Sequence, residues 1–495
     1  MPKTLPIFYS ALLLTGVNLL LRLVGTSFQV YLSGRIGAAG IGLLQLVMSV
    51  GGLAMVAGMA GIRTGAMYLT AEELGHKKPG HVTCILSGCF LYSIVCSSSV
   101  AVLLFVFAPQ IAALWIGNQN TVEALRLYAS FLPILCLCGV MCGYFTAANR
   151  IGTLAAVEVA EQLCSMLITM TALTLWAGKD AVRACQCVIF GSCMGSLLTL
   201  GCLVLLRFRE HAQIGKPIPV CRRLMRTALP LGAADVLKSG INTVENLMVP
   251  KRLARNALVE NPLAAFGCVS GMVFPILMFP ACILFGLAEL LIPELARCSA
   301  AGSKNRIRYL VKKSLKVAML YGLVFGGLMV LLAEPLCMTL YGSPDAGKSL
   351  KCYALLIPML YCDALTDAMI KGLGQQTASV RYNILTSAMD VLFLYLLLPR
   401  YGMMGYFLSF LVTHLINFLL SLKRLFKISG VAIPFHVPAF SLAAAMAAIL
   451  GASWISGSTG QCIAYCGILG SLLYLCRIIG HTDIQWLLGL LKAKK

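Results

Sequence analysis

The chain has 495 residues, 59% of them apolar and only 12% charged, with a formal net charge of +21. Its mean hydropathy is +0.88, whereas a soluble domain carries about 25% charged residues, so a soluble enzyme is excluded. Basic patches interleaved with aromatics are missing, which argues against a nucleic-acid partner and leaves the positive-inside bias of cytoplasmic loops as the source of the charge.

Runs long enough to cross a bilayer, about 20 apolar residues each, recur along the chain. Long alternating β-barrel segments are absent, so helices must satisfy the backbone in lipid. The predicted class is an all-α polytopic membrane protein. Breaks in hydropathy predict about fourteen spans, near 6–32, 41–73, 83–107, 121–148, 152–176, 182–206, 227–249, 263–295, 308–333, 350–372, 378–398, 402–422, 437–456 and 460–478. Only Lys3 precedes the first run and no small-residue cleavage site follows it, so it reads as a span rather than a signal peptide. Residues 483–495, with Trp486 beside leucines and then lysines, read as an interfacial amphipathic tail.

Basic residues concentrate in alternate loops. One set holds Lys77, Lys78, Arg207, Arg209, Lys216, Arg222, Arg223, Arg226, Arg297, Lys304, Arg306, Arg308, Lys423, Arg424 and Lys427, with Lys492, Lys494 and Lys495 in the tail. The opposite loops carry chiefly Arg35, Lys179, Lys251, Arg252 and Arg400. Both termini are therefore expected on the cytoplasmic side of the cell membrane.

The 21 cysteines show no metal-ligand spacing. Cys136 with Cys138, and Cys185 with Cys187, are CxC pairs inside apolar runs and lack histidine partners, so they read as small packing residues. No metal, cofactor or catalytic residue is expected.

The two halves of the chain resemble each other. Arg22, Gln29 and Arg35 recur as Lys238, Glu245 and Lys251 at an offset of 216. Glu73-Leu74 matches Glu294-Leu295 at 221, and Leu132-Pro133 matches Ile357-Pro358 at 225, as Asn149-Arg150 matches Gly374-Gln375. Ordered matches with a slowly growing offset predict a parallel repeat of six helices. The expected division is 1–220 for one six-helix lobe, 221–430 for the other, and 431–495 for two additional helices and the tail.

Charges inside apolar runs carry the functional signal, because a charge at the bilayer centre costs about 2.5–3.5 kcal/mol on insertion scales and is kept where it faces a cavity or a partner. Arg22 sits in LLLRLVG, Arg63 in GMAGIRTGAMYL and Lys238 in ADVLKSGINTVEN. Asp235, Lys238, Asn242, Glu245 and Asn246 share one helix, with Lys238 three residues from Asp235 and seven from Glu245. Glu158 and Glu161 lie three apart on the fifth span, and Asp363, Asp367 and Lys371 recur every four residues on the tenth. These acids suit structural interhelical pairs as well as function. The excess positive charge of Arg22, Arg63 and Lys238 is not obviously neutralised by nearby acids, and desolvated cations suit an anionic substrate, phosphate above all. Gly51-Gly52, Gly58, Gly61 and Gly65 in the second span, and Pro275, Pro280 and Pro293 in the eighth, permit bending as well as close packing.

Several long segments resemble the stage V sporulation protein B family: GAAGIGLLQL (37–46), AGIRTGAMYLTAEEL (60–74), VENLMVPKRL (244–253), GMVFPILMFPACILFGLAELLIPELA (271–296), LYCDALTDAMIKGLGQQ (360–376), Tyr382-Asn383 and LLPRYGMMGY (397–406). The similarity runs over about residues 5–430 and is weak over the last two spans. The family belongs to the flippase superfamily that also holds multidrug and toxin extruders and the lipid II flippase. The resemblance implies two six-helix lobes in a V around a central cavity, two further helices, and transport of a lipid-linked peptidoglycan or polysaccharide precursor for the spore cortex. It also implies that Arg22 and Arg63 line the cavity; Lys238 follows from the repeat alone, and Arg252 sits near an outer end.

The expected mechanism is alternating access, with Arg22, Arg63, Lys238, Arg252, Asn242 and Glu245 binding the substrate and Asp235 or Glu161 carrying a coupling ion. The expected partners are a polyprenyl-pyrophosphate-linked oligosaccharide, membrane lipids and cell-wall synthesis proteins. Two rivals stay open. A multidrug or cation exporter predicts a cavity dominated by acids, and a membrane scaffold predicts no transport. An enzyme would need a catalytic set in a large external loop, and the six histidines are scattered.

Overall fold

The computed structural model describes residues 4–75, 79–148, 150–178, 180–208, 221–257, 259–431, 434, 436–476 and 478. Among them are sixteen α-helices and no strand. In chain order they are α1 (Thr4–Met59), α2 (Ile62–Gly75), α3 (Pro79–Gln110), α4 (Val122–Ala147), α5 (Ile151–Ala172), α6 (Ala181–Phe208), α7 (Cys221–Leu253) and α8 (Pro262–Gly267). There follow α9 (Phe274–Met278), α10 (Ala281–Ala300), α11 (Lys304–Tyr341), α12 (Pro344–Ala354), α13 (Ile357–Gly372), α14 (Gln376–Ser429), α15 (His436–Ser453) and α16 (Ser458–Leu475). Lys77, Lys78, Lys179, Arg209, Lys216, Lys492, Lys494, Lys495 and the expected interfacial tail lie outside the described residues, as do the side chains of Arg222, Arg223 and Arg226.

Large apolar side chains are exposed along these helices, among them Leu114, Leu167, Leu175 and Leu475. Water would penalise such surfaces and lipid does not; the chain is a multi-pass membrane protein. Among the described residues, eight helical segments are long and apolar enough to cross a membrane, or ten if each of two bent pairs is one span. Two of the eight are 55 and 54 residues long, well beyond the roughly 20 that one crossing needs. Each is broken at a glycine with positive φ, Gly37 (φ 67°) in the first and Gly402 (φ 56°) in the second. A residue without a Cβ takes that conformation at little cost. The loop expected between the first two spans is therefore a single-residue kink.

The bent pairs are also informative. The helix carrying Pro275 and Pro280 turns by 62° between Met278 and Ala281, where the prolines permit a bend. The tenth span turns by 57° between α12 and α13, with Pro358 in the first turn of α13. Proline lacks the N–H that would continue the helix but suits a helix start.

Packing divides the chain into two compact units. The first comprises Met1–Gly271 and Ser387–Tyr406. In it α1 packs on α3, α4, α5, α6, α7 and α8, and a buried cluster of Ile62, Leu69, Val140, Met141, Phe145 and Leu203 lies at its core. Its cysteines pack as small residues: Cys138 Sγ donates to the Ser196 carbonyl at 3.1 Å, and Cys136, Cys185 and Cys187 are buried free thiols. The second unit comprises Met272–Thr386 and Phe407–Lys495. In it α11 packs on α12, α13, α15 and α16. Tyr465 on α16 is fully buried and donates to the Leu323 carbonyl of α11 at 2.7 Å. Its ring fills the space a side chain at Gly327 would need, 2.0 Å from an added Cβ.

Candidate functional site

The site begins at a break in the second predicted span. α1 ends at Met59, Ala60 takes φ 43° and Gly61 takes φ 74°, and α2 starts at Ile62. Ala60 is the one non-glycine with positive φ among the described residues, a conformation disfavoured by about 1–2 kcal/mol for an L-residue. Its carbonyl, released from the helix, accepts a hydrogen bond from the Tyr92 hydroxyl at 3.3 Å.

α7 crosses this break backbone to backbone. An added Cβ on Gly232 would lie 2.4 Å from the Ala60 carbonyl carbon, and one on Gly61 would lie 2.2 Å from the Ala228 carbonyl oxygen. Further along, Thr243 Oγ1 donates to the Ser49 carbonyl at 3.1 Å and Asn246 Nδ2 donates to Ser49 Oγ at 3.0 Å. These contacts fix which face of α7 turns toward the break. Residues 235, 238, 239 and 242, at helical spacing, then share the face that remains open.

Between these elements lies a cavity of about 550 Å³, within the range of small-molecule sites. α1 and α2 contribute Val56, Met59, Gly61, Arg63 and Thr64; α7 contributes Asp235, Lys238, Ser239 and Asn242; α14 contributes Ser387. All ten belong to the first compact unit, although they come from both sides of the expected repeat boundary at 220. Arg63 and Lys238 are exposed into this space, and among the described residues neither forms an ion pair. The cavity thus presents two cations, one carboxylate and several hydroxyl and amide groups. Glu158 on α5 is near enough to feel the Arg63 charge, and Glu161 accepts from Ser196 Oγ at 2.7 Å.

The structure brings together Arg63, Lys238, Asn242 and Asp235 of the expected site residues. Arg22 is exposed on α1 and does not line the cavity. The guanidinium carbon of Arg252 lies 3.3 Å from the centre of the Tyr395 ring, a cation–π contact away from the cavity. Glu245 is close enough to Asp390 to feel its charge, and Glu161 accepts a hydrogen bond from Ser196 Oγ. Asp390, a lone acid in LTSAMDVLFLYL, carries the same signal as Arg22, a charge inside an apolar run, but has no acid or base at helical spacing to mark a site. Thr64, Ser239 and Ser387 are hydroxyls that no sequence pattern distinguishes. Among the described residues no group of three or more His, Cys, Asp or Glu side chains could hold a metal ion.

Residues 14–176 match the MatE family model. The chain is 21% identical over 466 residues to stage V sporulation protein B of Bacillus subtilis (strain 168), covering 92% of this chain and 89% of that protein. Among solved structures it is similar to the lipid II flippase MurJ in an inward closed conformation, with a TM-score of 0.75 at 13% identity, covering 94% of this chain and 100% of that one. An inward-facing multidrug resistance MATE family transporter gives a TM-score of 0.64 at 15% identity, covering 85% of this chain and all of that one.

The fold is MATE-like. The resemblance to the stage V sporulation protein B family extends over nearly the whole chain, beyond the segments that first carry it. The MatE match contains Arg22, Arg63, Glu158 and Glu161 and stops before α7. Within this MATE-like chain, Lys238 and Asn242 therefore rest on the cavity that places them opposite Arg63.

Proposed function

We propose that this membrane transporter is a flippase that moves a lipid-linked saccharide across the cytoplasmic membrane by alternating access, supplying a peptidoglycan or polysaccharide precursor for the spore cortex. One observation carries the reading: Arg63 and Lys238 open into the same cavity, and neither forms an ion pair among the described residues. A pyrophosphate head needs such a place. It would lose its hydration in hydrocarbon with nothing in exchange, and charge-assisted hydrogen bonds from Arg and Lys replace what water supplied. Asn242, Thr64, Ser239 and Ser387 offer neutral groups for a sugar. The polyprenyl tail remains in lipid.

In this reading both termini are cytoplasmic, and the chain retains two kindred lobes, 1–220 and 221–430, with 431–495 added. Support for the substrate class comes from relatives: stage V sporulation protein B shares nearly the full length, and the similar solved structure is a lipid II flippase. Asp235 favours the second reading, an exporter of cations, because a carboxylate in the same cavity would bind one. Translocation of a polyprenyl-pyrophosphate saccharide in proteoliposomes separates the two. The flippase reading expects uptake that Lys238→Glu removes and Asp235→Asn spares; the exporter expects the reverse pattern with an organic cation.

A further inference from the structure

α11 is longer than one crossing needs. Its 38 residues from Lys304 to Tyr341 reach about 57 Å, against a hydrocarbon core of about 30 Å. Residues 317–341 are its apolar part, with Glu334 as their one charged residue, and they already cover about 37 Å. Residues 304–316 therefore stand beyond the core at one end of the span. That overhang holds Lys304, Arg306, Arg308, Lys312, Lys313 and Lys316, and no acid. Lys304, Arg308, Lys312 and Lys316 recur every four residues, so they form one row along the helix. Ile307, Val311, Ser314 and Leu315 of the same stretch are buried within the second compact unit. Lys304, Arg308 and Lys312 are exposed, and none of the three forms an ion pair among the described residues. Arg306, off the row, pairs with Glu294 of α10 at 2.8 Å. Arg308 passes the end of α14, 3.1 Å from where a Cβ on Gly430 would stand, and Lys427 is exposed one turn before that glycine. An open hollow of about 450 Å³ at the head of the row is lined by Gly302, Ser303, Lys304, Asn305 and Arg306.

Taken alone, this row is electrostatically unfavourable. Like charges four residues apart on a helix repel, and 304 with 308, 308 with 312, and 312 with 316 are such pairs. Cations in the first turn also oppose the helix dipole, and the first turn of α11 holds Lys304 and Arg306 with no acid. Acids interleaved with the bases would relieve both effects, but the next acid along α11 is Glu334, near its far end. Anions from outside the chain relieve them equally well. Position names the source of those anions. A helix that crosses the bilayer carries its overhang to the headgroup layer, and clusters of about four to eight basic residues beside a span attract anionic lipids. Tyr309, 60% exposed on the same stretch, suits that layer, where phenol rings concentrate.

We propose that the basic row of α11 is a docking surface for anionic phospholipid headgroups. Phosphodiester oxygens supply the counter-charges that Lys304, Arg308 and Lys312 lack within the chain, and the hollow beside Lys304 gives the outermost headgroup a seat. Occupied in this way, the row fixes the depth at which α11 sits in its leaflet. The inference requires only that α11 spans the membrane, and it is independent of what the cavity between α2 and α7 carries.

The test titrates the purified, delipidated full-length protein with phosphatidylglycerol or phosphatidylcholine and counts bound lipids by native mass spectrometry. The wild type should prefer phosphatidylglycerol roughly tenfold or more, since each base near an anionic surface strengthens binding several-fold. Lys304→Gln/Arg308→Gln/Lys312→Gln should lower that preference at least about fivefold. Lys348→Gln/Lys351→Gln, whose lysines already pair with Asp345 and Glu334, should keep it. An unchanged preference in the triple variant, or an equal loss in the control, overturns the proposal. If the triple variant does not fold, Lys312→Gln at its exposed position stands in for it, with an expected loss of at least about twofold, and no loss overturns the proposal. Raising the salt from about 0.05 M to about 0.5 M should weaken the wild-type preference, because contacts at an exposed face are screened; a preference indifferent to salt contradicts an ionic row. A wild type that binds both lipids equally leaves the row to another occupant, such as an acidic protein segment, and overturns the proposal. Translocation is not read in this experiment, so the flippase reading stands or falls separately.

Discussion

Gly232 of α7 touches the backbone of Ala60, where α1 breaks: an added Cβ would lie 2.4 Å from the Ala60 carbonyl carbon. The helix break and the crossing helix depend on each other, and the cavity lies where they meet. Gly232→Ala should therefore force the two backbones apart and cost about 1–3 kcal/mol, the usual range for overpacking. Gly52→Ala on α1 is the control, because an added Cβ there meets nothing within 4 Å. Thermal unfolding in detergent should show a lowered midpoint for the first variant and none for the second.

Removing one cavity cation should weaken anion binding. Hydrogen bonds to charged groups contribute about 1.5–3 kcal/mol, so Arg63→Gln or Lys238→Gln should reduce affinity for a pyrophosphate-headed lipid by roughly tenfold or more. Arg22→Gln should cost less, since Arg22 does not line the cavity. Binding of such a lipid to the purified variants, followed by intrinsic fluorescence or calorimetry, ranks them. Equal losses at Arg22 and Arg63 would move the binding site away from the cavity.

Arg252 and Tyr395 should behave as a structural pair. Their contact at 3.3 Å is of a kind worth about 0.5–2 kcal/mol. A double-mutant cycle of Arg252→Ala and Tyr395→Leu, read by thermal stability, should give a coupling energy of that order. Additive losses would show that the stacking contributes nothing.

Tyr465→Phe tests the attachment of α16 to α11. The hydroxyl donates to the Leu323 carbonyl at 2.7 Å in a fully buried setting. Its removal should cost about 0.5–1.5 kcal/mol, seen as a lower unfolding midpoint. Gly327→Ala should cost more, because the added Cβ would meet the Tyr465 ring at 2.0 Å.

Most of the helical architecture is legible in the sequence because lipid imposes a single strong rule, long apolar runs. The helix breaks are less so. Gly61 could be suspected among five clustered glycines, but only the close approach of Gly232 from a segment far away in sequence explains why the break falls there. Gly37 and Gly402 look like loop glycines and are kinks within continuous helical segments. Deep cations were visible as misplaced charges, and two of the three meet in one cavity. Spacing along one helix could not reveal that Glu245 lies near Asp390 of α14, because that proximity depends on how distant helices pack. Hydroxyls such as Ser387 give no signal in lipid-facing or cavity-facing positions alike.

The most direct test of the central claim is translocation of a fluorescent polyprenyl-pyrophosphate saccharide by the purified chain in liposomes, comparing the wild type with Arg63→Glu and Lys238→Glu. The account predicts flipping by the wild type and its loss in both charge reversals, with unfolding midpoints close to the wild type. Wild-type rates in the two reversed variants would contradict it.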